Sequence, residues 1–84
     1  MGQKKAFKKV VTLLDEAIEN VANRKGDYFE QLSDAIDETF AALSTNGHPL
    51  LASRLKAAEW DVQARRGDYL GELDAILNKV RELV

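Results

Sequence analysis

The side chains able to do acid–base or metal chemistry in this chain are few and poorly placed for it. His48 is the only histidine, and it sits between Gly47 and Pro49 behind a run of turn formers. A metal centre or a histidine-driven acid–base pair needs further ligands or a nucleophile within reach. His48 reads instead as a loop residue where a helix begins. Thr12, Ser33, Thr39, Ser44, Thr45 and Ser53 lie outside any strand–turn–helix nucleophile context. Asp27, Glu30, Asp34, Asp37 and Glu38 form an acidic ridge. Paired carboxylates cleave glycosidic bonds only from within a cleft, which 84 residues can hardly enclose. The helical E-x-x-H pattern of di-iron bundles is missing. The expectation is therefore no enzyme, no cofactor and no metal. Asp34, Asp37 and Glu38 form a solvated face or meet a basic partner.

Two basic groups are more suggestive. Lys4, Lys5, Lys8 and Lys9 fall on the first turns of a helix, an end whose dipole favours anions. Arg24, Lys25, Arg65 and Arg66 fall at the C-terminal ends of two helices, where cations complement the dipole. In an antiparallel bundle these four would gather at one end; the helix ends account for them, and an anionic ligand or nucleic-acid backbone is the alternative. Trp60 is the most informative aromatic residue. At roughly 100° per residue it points away from Leu51, Leu55, Ala58 and Val62. It joins Leu50, Ser53, Ala57 and Ala64 on a second face. Leu70, Leu77 and Val84 read as a similar second stripe on the last helix. On a central helix both faces would be buried within the chain; on a simple bundle the second would be exposed, and an exposed tryptophan among small residues is typical of a contact surface.

The elements that position these residues come from an internal repeat. Arg24-Lys25-Gly26-Asp27-Tyr28-Phe29 recurs forty-one residues later as Arg65-Arg66-Gly67-Asp68-Tyr69-Leu70. At the same offset Leu14 matches Leu55, Ala17 matches Ala58, Val21 matches Val62 and Leu32 matches Leu73. Shared core positions around a shared turn indicate one supersecondary unit used twice. The halves cover approximately 4–44 and 48–84 of a single domain, 1–84.

Each half reads as two helices. Phe7, Val10, Val11, Leu14, Ile18 and Val21 keep the three-four spacing of one helical face. Gly26 ends that helix, because glycine takes the left-handed conformation without steric cost. Asp27 caps the next, with Glu30 completing a capping box. Phe29, Leu32, Ile36, Phe40 and Leu43 line the second helix, which runs out at Ser44-Thr45-Asn46-Gly47. Pro49 suits the first position of the third helix. That helix ends at Gly67, and Asp68 caps the fourth, faced by Tyr69, Leu73, Ile76, Val80 and Leu83. The predicted fold is all-α, with four antiparallel helices in a bundle; the alternative is two helical hairpins stacked as in a solenoid.

The Gly-Asp-Tyr turn resembles that of tetratricopeptide repeats, which place glycine and tyrosine between paired helices. That family's small-residue positions fall on Trp60 and Glu72, and the spacing here is longer, so the likeness ends at the turn. Arg66-Gly67-Asp68 spells the tripeptide that integrins recognise. Its counterpart Lys25-Gly26-Asp27 does not, and a turn glycine followed by a capping aspartate explains both.

Composition narrows the function classes. Hydrophobic residues make up 45% and charged residues 31%, too apolar for disorder. The absence of cysteine excludes disulfides and thiolate metal sites and fits a cytoplasmic location. No apolar run approaches the roughly 20 residues needed to cross a bilayer, and no signal-peptide core precedes the first helix. A formal charge of −2 gives no general attraction to DNA or acidic membranes. The expected function is a non-enzymatic protein–protein interaction module, an adaptor, regulatory subunit or inhibitor acting by surface occlusion, with self-association included. Its contact residues would be Trp60, Leu50, Ala57, Ala64, Leu70 and Leu77, with Asp34, Asp37 and Glu38 facing a basic partner. The alternatives are a phage-type inhibitor of a bacterial nucleic-acid-binding defence complex and a nucleic-acid-associated regulator using the basic ends.

Overall fold

The computed structural model describes residues 2–84, with side chains from residue 5 onward; Met1 and the side chain of Lys4 lie outside the described residues. Four helices follow one another: α1 (Gly2–Asn23), α2 (Tyr28–Thr45), α3 (Pro49–Ala64) and α4 (Tyr69–Arg81). Among the described residues no strand occurs, and no helix is long and apolar enough to cross a membrane.

The apolar stripes meet in one core. Leu14, Leu32, Leu55 and Leu73, the leucines matched across the repeat, are all fully buried. Around them pack Phe7, Val10, Ile36, Leu43, Val62, Ile76 and Val80. Thr39 is buried among them and satisfies its hydroxyl by donating to the Ala35 carbonyl at 2.7 Å. No buried side-chain polar atom among the described residues lacks a partner, as a native core requires.

Helix contacts decide between bundle and stack. α1 packs on α2 and α4, and α3 packs on α2 and α4; the backbones of the diagonal pairs stay apart. Closing α1 on α4 makes a ring, which stacked hairpins would leave open. Three contacts locate the helix ends. Phe7 near the start of α1 meets His48 at the start of α3, rings 5.4 Å apart and edge-on. Asn20 near the end of α1 donates to Gln31 in the first turns of α2 at 2.8 Å. Phe29 and Tyr69, at the starts of α2 and α4, have ring centroids 6.3 Å apart. The ends of α1 and α3 and the starts of α2 and α4 thus share one end of a body measuring 35 × 22 × 17 Å.

The two repeated turns share one backbone conformation, with three local departures from expectation. The helices stop at Asn23 and Ala64, before the glycines. The residue after each stop is an arginine in the left-handed region, Arg24 at φ 52° and Arg65 at φ 51°. Lys25 N–H donates to the Asn20 carbonyl and Arg66 N–H to the Asp61 carbonyl, both at 2.9 Å. Arg24 and Arg65 N–H reach Val21 and Val62, giving the paired bonds of a Schellman motif in both places. Gly26 and Gly67 then reverse the chain, both at φ 62°. The second departure is Asp27, which occupies the N-cap position of α2 but makes no side-chain capping bond. Asp68 does cap α4, accepting from Gly71 N–H at 3.1 Å. Lastly, glycine inside α4 ordinarily invites alanine, yet a Cβ on Gly71 would collide with the capping carboxylate, 2.8 Å from Asp68 Cγ.

Candidate functional site

The second face of α3 is solvent-exposed along its whole length. Leu50 is 83% exposed and Trp60 71%, and Ser53, Ala57 and Ala64 between and beyond them are exposed as well. The other side of the helix is spent on the core through Ala52, Leu55, Ala58 and Val62. A helix apolar on both sides has one face left for something else. Arg54 and Asp61 flank the stripe on the side of α4, where they line a groove of about 320 Å³ with Ala57 and Glu72.

The expected second stripe on α4 does not exist. Leu77 is fully buried and offers nothing to a partner. It lies one helical turn from Leu73, about 40° round the axis, and so joins the core row. Leu70 is half-buried and lines a concavity at the turn end with Tyr69, and Val84, beyond the end of α4, is 48% exposed, so the three do not form one exposed stripe.

The acidic ridge is split between solvent and a groove. Asp37 is exposed, while Asp34 and Glu38 line a groove of about 290 Å³ between α1 and α2, with Glu16, Asn20 and Gln31. Adding forty-one to Glu16, Asn20, Gln31 and Asp34 gives Ala57, Asp61, Glu72 and Ala75, which line the α3/α4 groove. The two grooves are the same feature in the two halves. Across the first, Asn20 and Gln31 join as neutral amides. Across the second, Asp61 and Glu72 face each other as two carboxyls. Their hydrogen bond, followed by partial desolvation and then the negative charges of Asp61 and Asp68, pushes the Glu72 carboxyl above the usual carboxylate range. Asp61 is also 3.4 Å from the Arg66 guanidinium.

Among the described residues no three His, Cys, Asp or Glu side chains are grouped as metal ligands. His48 is half-buried against Phe7. Lys5, Lys8 and Lys9 are exposed on α1.

The four cations of the repeated turns gather at one end, as the sequence implies. Arg24 and Arg65 open onto a concavity of about 400 Å³ whose walls include Tyr28, Phe29, Tyr69 and Leu70. The Arg65 guanidinium lies 4.2 Å from the centre of the Phe29 ring. The clustering of these cations was legible, with an anionic ligand as the alternative to a helix-end account; the aromatic walls that Tyr28, Phe29 and Tyr69 supply were not. The signal available was the repetition of Arg-x-Gly-Asp-Tyr. The chain matches no protein-family model, and no curated protein or solved structure is significantly similar to it.

Proposed function

We propose that the protein is a non-enzymatic interaction module, and that its primary contact is the Trp60 face of α3 against the same face of a second copy. The observation that carries this reading is the exposure of Trp60 and Leu50 on a continuous stripe of small residues. Tryptophan in such a setting supplies much of the energy of a contact.

A second copy is favoured because the face complements itself. A two-fold contact pairs the same patch with itself. With two α3 helices antiparallel about Ala57, residues equally far before and after it come opposite one another. Leu50 then meets Ala64, and Trp60 lies beside Ser53, so each large side chain faces a small one. Arg54 lies beside Asp61, within one helical rise of about 1.5 Å, and each copy supplies both charges. Like-charge clashes do not arise along the seam.

A single helix face offers less than the roughly 800 Å² per partner of a standard stable interface. The association is therefore weak, about micromolar or weaker. Sedimentation across a wide concentration range tests it. A reversible dimer that Trp60→Ala abolishes, and that Arg54→Asp weakens while Arg54→Asp with Asp61→Arg restores, is expected. A monomer at every concentration overturns the choice of occupant.

A further inference from the structure

Arg24 and Arg65 are the only non-glycine residues with positive φ among the described residues. That conformation brings Cβ too close to the following carbonyl, and glycine is its usual occupant at a helix end. Here arginine holds it twice, at equivalent positions of the repeat. Backbone strain retained in a folded chain is a marker of function when the strained residues converge on one place. These two converge on the concavity at the turn end of the bundle.

The chemistry of that concavity is specific. Neither Arg24 nor Arg65 pairs with a carboxylate among the described residues. Asp61 is paired with Arg66 and Asp68 accepts from Gly71, and among the described residues no acidic residue lines the concavity. Stacking on Phe29 uses the flat face of Arg65 and leaves its N–H edge for an anion. The hydroxyls of Tyr28 and Tyr69 make no hydrogen bond among the described residues. The starts of α2 and α4 add the positive ends of two helix dipoles. Two guanidinium forks match a dianion better than a carboxylate. About 400 Å³ is far more than a bare phosphate fills, and the remaining wall is aromatic.

We propose that this concavity binds a phosphate monoester carried on an aromatic body, an aryl phosphate or a mononucleotide. Arg24 and Arg65 grip the phosphate from opposite halves, Phe29 holds the Arg65 guanidinium in place, and Tyr28 and Tyr69 take the ring. The site stands at the turn end of the bundle and does not rest on the Trp60 contact.

The test is an NMR titration of the full chain at low salt with phenyl phosphate, adenosine monophosphate and inorganic phosphate. Saturable shifts at the amides of both turns, with the two aromatic probes binding more tightly than inorganic phosphate, are expected. The decisive variant is Arg24→Gly with Arg65→Gly. Glycine relaxes the backbone at both positions, so this variant melts at a higher temperature than the native chain. It nonetheless binds at least about tenfold more weakly, having lost two charge-assisted contacts. Lys79→Ala, which removes a charge far from the turns, leaves binding unchanged. No saturable shift, undiminished binding by the glycine variant, or a response centred on Lys5, Lys8 and Lys9 overturns the proposal. Equal affinity for inorganic phosphate removes the aromatic half of it. Turn-centred binding of an oligonucleotide, with none of the monomeric probes binding, would make this end a nucleic-acid contact and overturn the site as stated.

Discussion

Leu77→Ala and Trp60→Ala, made separately in the full chain, separate core from surface for two residues that read alike in sequence. Leu77 has no exposed surface, so its truncation loses transfer energy and leaves a cavity, at a cost of about 2–5 kcal/mol. A domain of 84 residues has a total stability of roughly 4–13 kcal/mol at the usual value per residue. With each kcal/mol moving the midpoint of so small a domain by about 4–8 °C, Leu77→Ala lowers the melting temperature by roughly 8–40 °C. Trp60 is 71% exposed, so less than a third of the side chain is out of water. A fully buried tryptophan hides about 150–250 Å², which at ~25 cal/mol per Å² makes its present burial worth at most about 1–2 kcal/mol. Residual structure in the unfolded chain lowers that figure. Alanine's better helix propensity offsets about another 0.5 kcal/mol. The expected loss for Trp60→Ala is thus under about 1 kcal/mol. Thermal and urea denaturation followed by circular dichroism measure both, at a concentration where the chain is monomeric. A Trp60→Ala loss equal to that of Leu77→Ala would place the tryptophan in the core and refute the surface argument.

Two further predictions concern local chemistry. Gly26→Ala and Gly67→Ala each destabilise by about 1 kcal/mol or more, because alanine is strained at φ 62°. Gly71→Ala is destabilising as well, against its helix propensity, since the added methyl displaces the Asp68 cap; thermal melts rank the three. For the Asp61–Glu72 pair the sign follows from Glu72, whose carboxyl in the folded chain is held above its ordinary value of 4.5. Protonated Glu72 favours the folded state, so its contribution is fully present below about pH 4.5 and is lost as pH rises through the folded value. Glu72→Gln, which restores half of the amide pair seen at Asn20 and Gln31, should flatten that part of the stability–pH curve. An unchanged curve would mean that the two carboxyls do not share a proton.

The fold was legible because two signals agreed, the three-four spacing of the apolar residues and the repeat that carried Leu14, Leu32, Leu55 and Leu73 into equivalent places. The turns were legible in type but not in detail. Gly26 and Gly67 take the expected positive φ, yet each helix ends earlier, on an arginine that no propensity scale would place in the left-handed region. Asp27 and Asp68 share one motif, and only Asp68 makes the side-chain bond. Leu77 was misassigned because a seven-residue interval linked it to Leu70 and Val84. Leu73, a core residue one turn away, is only about 40° round the axis, so the angle fits either row and packing takes Leu77 into the core. For Trp60 the sequence left open whether the second face of α3 is also covered within the chain or exposed, and the exposure of Leu50 and Trp60 decides it. The grooves and the Asn20–Gln31 and Asp61–Glu72 pairs depend on how two helices cross, which a one-dimensional period does not encode.

The closed ring of helices also bears on how two chains could trade parts. The hairpin α1–α2 meets the hairpin α3–α4 along two seams, α2 with α3 and α1 with α4, and through the aromatic contacts Phe7–His48 and Phe29–Tyr69 at the two ends. One short link, Asn46 to His48, joins them, held by His48 N–H donating to the Leu43 carbonyl at 2.8 Å and by Gly47 at φ 83°. Every contact across those seams is available equally from the hairpin of another molecule. Straightening the link would therefore let two chains exchange halves and rebuild two complete cores without a single new side-chain interface. A dimer assembled by such exchange would keep Trp60 in water and survive its removal. It would form slowly, because each chain must first open, and it would separate only as fast as its halves unpack.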